Sequence, residues 1–316
     1  MKKWLVGLMS LATITLVLSG CAPTETTIEK VPDKATTIRL GVMPSTDNIP
    51  FILAHEQGFD HNNGVNIELE VFKSAPDRDA AFQAGKVDGV ITDLVGLAIY
   101  QQGDFDVKVV AAPYDQFDLV TGDESVQSIA DLKGKDVVFS SKTGTGYAVA
   151  KMLESAGLTM ADINITEIPQ VPARLELITN QKASAAILPE PFVTIGQANG
   201  LRVVQSTRDI GINPFAIAFT AEMIAKEEVA IKGLFDAYNE AAIYVEKTPV
   251  EDYIDLFIEE VGFPASLKKQ IVIPDYGKLE QVKEKDVESA FAWAREAGLL
   301  KKELTAKDVI SDVYFK

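Results

Sequence analysis

Val65-Asn66-Ile67-Glu68-Leu69-Glu70-Val71-Phe72 alternates apolar and polar side chains, with Val65, Ile67, Leu69 and Val71 on one side. A period of two is the mark of a strand with one covered face. Outward from it the alternation is of elements. Thr37–Val42 reads as a strand, and Ile49–Gln57 as a helix ended by Gly58. Past the opening stretch, Pro76–Ala84 reads as a helix ended by Gly85, Gly89–Thr92 as a short buried strand, Leu94–Gln101 as a helix and Val107–Ala111 as a strand. Strands and helices joined by short connections predict an open α/β sheet.

A second run repeats the theme. Asp136–Ser140, Ile163–Ile168, Ser184–Leu188, Leu201–Gln205 and Pro214–Thr220 read as strands. Between them, Thr145–Ala156 places Val149, Met152, Leu153 and Ala156 on one helical face, with Gly157 as its stop. Val171–Asn180 and Phe192–Asn199 are the other helices, the latter closed by Gly200. After residue 220 only helices are expected, over Val229–Lys247, Glu251–Val261 and Asp286–Ala297. The pattern predicts an α/β protein of two lobes with mixed open sheets and C-terminal helices. Residues 36–113 and 216–316 make lobe 1 and residues 114–215 lobe 2. Two crossovers, near Tyr114–Phe117 and Ile212–Phe215, act as the hinge, with a ligand cleft between the lobes.

The N-terminus reads as an export signal. Lys2 and Lys3 precede an apolar run, Trp4–Leu18, too short to span a membrane. Leu18-Ser19-Gly20-Cys21 then resembles the bacterial lipobox, which implies cleavage after residue 20 and diacylation, as with palmitate, of the Cys21 thiol. Cys21 is the only cysteine, so neither a disulfide framework nor a Cys-based metal or redox motif is expected. Residues 21–35, polar and with two prolines, read as a flexible tether. Removing residues 1–20 from the 316 leaves 296, a length that suits two domains. The net charge of −16 becomes −18 once Lys2 and Lys3 are lost, which excludes a basic nucleic-acid footprint.

Candidate site residues follow from the loops after strands, where open α/β sheets bind ligands. Ser45, Thr46 and Asp47 follow the first strand and offer hydroxyls and a carboxylate. Asp47 or its neighbour Asn48 equally suits a helix cap. Thr92 and Asp93 follow the Gly89–Thr92 strand, with Asp93 either a cap or a ligand-facing acid. Ser140, Ser141, Thr143, Gly144, Thr145 and Tyr147 leave a strand and open a helix, an arrangement that suits an anion, to which Lys142 adds charge. It is not the Walker-type phosphate loop, since the Gly-Lys-Ser/Thr order is missing. Glu190, between Pro189 and Pro191, suits a cleft, a hinge or a helix start. Tyr114, Phe117 and Phe215 at the crossovers either stack on a planar ligand or pack the hinge. The only histidines, His55 and His61, stand six apart, and no zinc or iron site, catalytic triad or cofactor is expected.

Several stretches together resemble a family. They are Gly41-Val42-Met43-Pro44, Asn48-Ile49-Pro50, Gln83-Ala84-Gly85-Lys86-Val87-Asp88-Gly89-Val90, Ile129-Ala130-Asp131-Leu132-Lys133-Gly134-Lys135 and Leu188-Pro189-Glu190-Pro191. In this order after a lipobox they are similar to the type II periplasmic binding proteins, in the branch that binds sulfonates, taurine, nitrate and thiamine precursors. The resemblance implies a monomeric, non-enzymatic, lipid-anchored protein on the extracytoplasmic face of the cell membrane. It implies capture of a small molecule, such as a thiamine-precursor pyrimidine or a sulfonate, for an ABC permease and ATPase. A menaquinone-pathway-like enzyme on the same fold and a signalling or adhesion lipoprotein are the alternatives.

Overall fold

The computed structural model describes residues 35–316. The signal, the lipobox with Cys21 and the tether up to residue 34 lie outside the described residues.

β1 (Thr36–Val42) leads through a 3-10 turn into α1 (Ile49–Glu56) and α2 (Phe59–Asn62), then β2 (Val65–Val71), α3 (Ala75–Gln83), β3 (Gly89–Asp93), α4 (Leu94–Gln102) and β4 (Val107–Ala111). The middle of the chain holds β5 (Asp118–Thr121), β6 (Asp136–Phe139), α5 (Gly144–Ser155), β7 (Asn164–Glu167), α6 (Val171–Thr179), β8 (Ala185–Leu188), α7 (Phe192–Ala198) and β9 (Arg202–Ser206). β10 (Phe215–Thr220) is followed by α8 (Ala221–Lys226), α9 (Glu228–Lys247), α10 (Ile254–Leu256), α11 (Glu284–Glu296) and α12 (Ala306–Val309).

The strands form two five-stranded sheets, ordered β2-β1-β3-β10-β4 and β7-β6-β8-β5-β9. They are the same sheet built twice. In each, a parallel trio is joined by one strand from across the hinge, β10 in the first and β5 in the second, which runs antiparallel to its neighbours. Nothing in Asp118-Leu119-Val120-Thr121 marks β5 in the sequence, because all four residues are buried and alternation is absent. β2 shows the reverse limit. It pairs as its alternation predicts, but it is an edge strand, and Val71 at its end is 51% exposed.

Both faces of each sheet are covered, as α/β architecture requires. Along β10, Ile217 and Phe219 enter one core with Phe235 and Tyr238 of α9. Ala216 and Ala218 enter the other with Val287 and Phe291 of α11. In the second sheet Leu119 and Val137 share one core, Val120 and Val138 the other. The helix expected over Glu251–Val261 is instead a 3-10 turn, the short α10 and a π-helical turn over Phe257–Val261, ended by Gly262 at φ +95°.

The repeat extends to side chains. Arg78 at the start of α3 donates Nη1 to the Ile91 carbonyl at 2.9 Å, and Arg174 at the start of α6 donates Nη1 to the Ile187 carbonyl at 3.4 Å. Both arginines are 3% exposed, and both carbonyls lie thirteen residues on. Each arginine thus ties a helix start to the end of the next parallel strand.

The lobes meet along both rims. On one, α5 packs on α4 and α11, with the Tyr147 hydroxyl donating to Ser289 Oγ at 2.9 Å and its ring edge-on to Trp293. On the other, α7 lies against the 3-10 segment Ala265–Gln270. Contact on both sides is the closed arrangement of a two-lobed fold. Among the described residues, no helix is long and apolar enough to cross a membrane.

Candidate functional site

Closure leaves a narrow cavity between the lobes, the usual place for a small-molecule site in a two-lobed fold. Its wall comes from the carboxyl ends of parallel strands in both lobes: Ser45 and Asp47 after β1, Arg78 after β2, Thr92 and Asp93 after β3, Ser140, Thr143 and Thr145 after β6, Arg174 after β7, and Pro189 after β8. Phe117 and Phe215, one from each crossover, close the hinge side with ring centroids 4.6 Å apart.

The polar focus is a carboxyl pair. Ser45 Oγ donates to Asp115 Oδ2 at 2.7 Å, and the same hydroxyl acts on Asp47. Burial pushes the Asp47 carboxyl well above its ordinary range. Burial, then the charge of Asp47, does the same to Asp115. The Tyr238 hydroxyl, buried and without a partner among the described residues, feels both carboxylates. Asp118, three residues on at the start of β5, is raised to about 6 by burial, with Glu190 and Asp209 adding to it.

Cations stand near, but their hydrogen bonds go elsewhere. Arg78 forks onto Asp79 through Nε and Nη2 and also donates to Thr92 Oγ1 at 2.9 Å. Arg174 donates Nε to the Ile168 carbonyl at 2.7 Å and Nη2 to the Pro169 carbonyl at 3.0 Å. Among the described residues no carboxylate is bonded to Arg174, and burial pulls it down to about 10. The cavity therefore carries Asp47, Asp93 and the ion-paired Arg78 on the lobe 1 side, Asp115 at the hinge, and Arg174 with hydroxyls on the lobe 2 side.

The expected residues divide. Ser45, Asp47, Thr92, Asp93, Ser140, Thr143 and Thr145 line the cavity. Asp93 is also the cap of α4, accepting from Val95 N at 3.0 Å and Gly96 N at 2.8 Å, and Gly144 N–H reaches it from the other lobe. Thr46 turns away, its carbonyl accepting from the Tyr276 hydroxyl. Neither Asp47 nor Asn48 makes a side-chain cap bond to its helix. Ser141 N–H and Ser140 Oγ both bind Glu167. Tyr147 is spent on the lobe contact already described. Lys142 is exposed and lies outside the cavity wall. Glu190 accepts from Thr194 N and Oγ1, each at 3.0 Å, as a cap of α7. Tyr114 stands under Arg208, whose guanidinium carbon is 4.1 Å from its ring centre, and lines a second cavity behind the hinge.

Sequence reasoning missed Asp115, Arg78 and Arg174. The signal for the arginines was the shared thirteen-residue spacing, and for Asp115 its place beside Tyr114 in a crossover. Away from the cavity, Asp60 lies between His55 and His61 with its carboxylate bonded to both rings.

Gly144 explains how tightly the rim closes. A Cβ there would stand 2.7 Å from Asp93 Cβ and 2.8 Å from its Cγ. Gly144→Ala is expected to cost about 1–3 kcal/mol by overpacking. Urea unfolding of the purified variant measures it, and an unchanged midpoint would mean that the lobes are not held together at this point.

A closed two-lobed α/β fold with a polar cavity at the ends of its strands defines a periplasmic-binding-protein type II fold. A model of the NMT1-like family matches residues 32–254, and the chain belongs to that family. In sequence the chain is 21% identical, over 80% of each partner, to a protein of Escherichia coli (strain K12) named for the binding of aliphatic sulfonates. It is 23% identical to a protein of Brachyspira hyodysenteriae named as an ABC transporter periplasmic binding protein, over 68% of this chain and 67% of that one. Among solved structures, the periplasmic aliphatic sulphonate binding protein of Escherichia coli superimposes with a TM-score of 0.73 at 18% identity, covering 88% of this chain and 92% of the other.

Proposed function

We propose that the protein is an extracytoplasmic solute-binding protein, anchored through a lipid on Cys21, that captures a small organic ligand and delivers it to an ABC-type permease and ATPase. Within this reading, residues 1–20 are the signal, 21–35 the tether, 36–113 with 216–316 one lobe, and 114–215 the other. The protein acts as a monomer and catalyses nothing. The relatives' names support import.

One observation carries the ligand class. In the Ser45–Asp47–Asp115 cluster Ser45 and Asp47 are buried and Asp115 is half-buried; all three line the cavity and have no bonded cation among the described residues. A ligand with a basic nitrogen or an N–H edge, such as an aminopyrimidine or an aliphatic amine, supplies that charge. An acceptor at its far end meets Arg174 and the Thr143 and Thr145 hydroxyls. Contacts to both lobes at once are what favour the closed form. Asp93, occupied as a cap and rim contact, acts on the ligand less directly than Asp115.

Taurine and ethanesulfonate separate these ideas, since they share a sulfonate and differ by an ammonium. In a thermal-shift panel on the purified full-length chain, with aminopyrimidines included, nitrogen-bearing compounds are expected to raise the unfolding temperature. At about 100 times Kd the gain is about 2.7 kcal/mol. Equal shifts from taurine and ethanesulfonate would overturn the acid-recognition reading. A panel that stays flat after unfolding, refolding and removal of carried ligand would overturn the binding-protein reading.

A further inference from the structure

We propose that His55, Asp60 and His61 form a binding site for a divalent transition-metal ion, with Zn2+ the best fit, at the end of α1 remote from the cleft. His55 sits in the last turn of α1, while Asp60 and His61 lie in α2. Asp60 is fully buried, and its two oxygens divide the work. Oδ2 lies 2.8 Å from His55 Nδ1, and Oδ1 lies 2.7 Å from His61 Nδ1. The backbone N–H groups of Ile67 and His61 hold the same two oxygens from behind, at 3.1 and 2.6 Å.

Three features favour an ion over a pair of plain hydrogen bonds. First, one donor atom from each of the three residues lies within 4.8 Å of the others, so a single ion reaches all of them with a small contraction. Second, among the described residues Asp60 pairs with no lysine or arginine. Its only charge partners are the two imidazoles, although burial makes its charge costly. Third, the rings are 45% and 56% exposed, so the site is open to solvent on the side away from Asp60. Two imidazole nitrogens and a carboxylate, with open positions for water, are a set that zinc accepts at bond lengths of about 2.0–2.2 Å. The backbone bonds behind Asp60 supply the orienting support that such sites depend on.

Without an ion, the Nδ1 of each ring faces an Asp60 oxygen at hydrogen-bond distance. When the ion binds, it takes the place in front of the carboxylate. Each imidazole then binds the ion through Nδ1 and carries its proton on Nε2, facing solvent. The ion joins the end of α1, α2 and, through Ile67, β2, and so stabilises lobe 1.

The test is calorimetric titration of Zn2+ into the purified full-length chain after stripping with a chelator, with ring 15N spectra recorded alongside. One Zn2+ per chain is expected, with both histidines bound through Nδ1 and protonated on Nε2, and the unfolding temperature rising. His55→Gln and His61→Gln are expected to abolish that binding while leaving the backbone bonds to Asp60 in place. The spectra of the wild-type chain decide the matter even if a variant folds poorly. Absence of stoichiometric binding, binding that survives both substitutions, or rings not bound through Nδ1 on saturation would each overturn the site.

Discussion

Arg78→Ala is expected to lower the unfolding free energy by about 3–5 kcal/mol, the usual cost of removing one member of a buried ion pair. Arg78 is 3% exposed and bonds Asp79, Thr92 and the Ile91 carbonyl at once. Burial opposes its charge, but the carboxylate of Asp79 and the other charges around it outweigh that and keep it protonated. Its loss leaves Asp79 with only the Tyr100 hydroxyl, and the Ile91 carbonyl without a side-chain donor at the cleft edge. The control is Arg39→Ala. Arg39 also forks onto a carboxylate, Asp88, but its side chain is 46% exposed, and such surface pairs contribute about 0.2–1 kcal/mol. Urea unfolding of the two variants measures the contrast. Similar losses would mean that Arg78 is not the buried tie between α3 and β3.

Asp115→Asn is expected to weaken a cationic ligand by about 2–5 kcal/mol, on the order of 30- to 5,000-fold in Kd. Ethanesulfonate binding, where present, is expected to be unchanged or tighter. The same substitution changes how the ligand-free protein responds to pH. The folded-state pKa values of Asp47, Asp115 and Asp118 all lie above those of free aspartate. Such groups contribute stability that is fully present below the unfolded value of about 3.9 and is lost as pH rises through the folded value. For Asp118 that loss falls between about 4 and about 6; for the pair it extends higher. Asp115→Asn is therefore expected to flatten the decline on the alkaline side, as read from unfolding free energies at several pH values. An unaltered pH slope would mean that the pair does not share its charge in the way the burial implies.

Much of the architecture was legible. The alternation at Val65, Ile67, Leu69 and Val71, and the helix stripe at Val149, Met152 and Leu153, carry through to β2 and α5. What stayed hidden was whatever depends on contacts across the chain. β5 is four buried residues whose partners, β8 and β9, lie far along the sequence. The internal repeat escapes notice because it survives in positions and not in residue runs. The offset from Arg78 to Arg174 also carries Gly85, at φ +68°, onto Gln181, at φ +55°.

The candidate site divides along the same line. Loop position after a strand drew attention to Ser45, Asp47 and Thr145, which line the cavity. It did not separate acids that face the cavity alone from acids consumed as caps, as Glu190 is and Asp93 partly is. Asp115 has no motif. It matters because Ser45, seventy residues earlier, donates to it.

On the proposed reading, the Asp47–Asp115 carboxyl pair, raised above its ordinary range, receives a cationic group from the ligand. Calorimetry of the full-length chain with its best nitrogen-bearing ligand, in buffers of different ionisation enthalpy near neutral pH, tests this most directly. Binding is expected to expel protons from the Asp47–Asp115 pair, so the observed heat varies with the buffer and affinity rises with pH until the ligand's own nitrogen loses its proton. Binding heats independent of the buffer, with affinity flat or falling as pH rises, would contradict it.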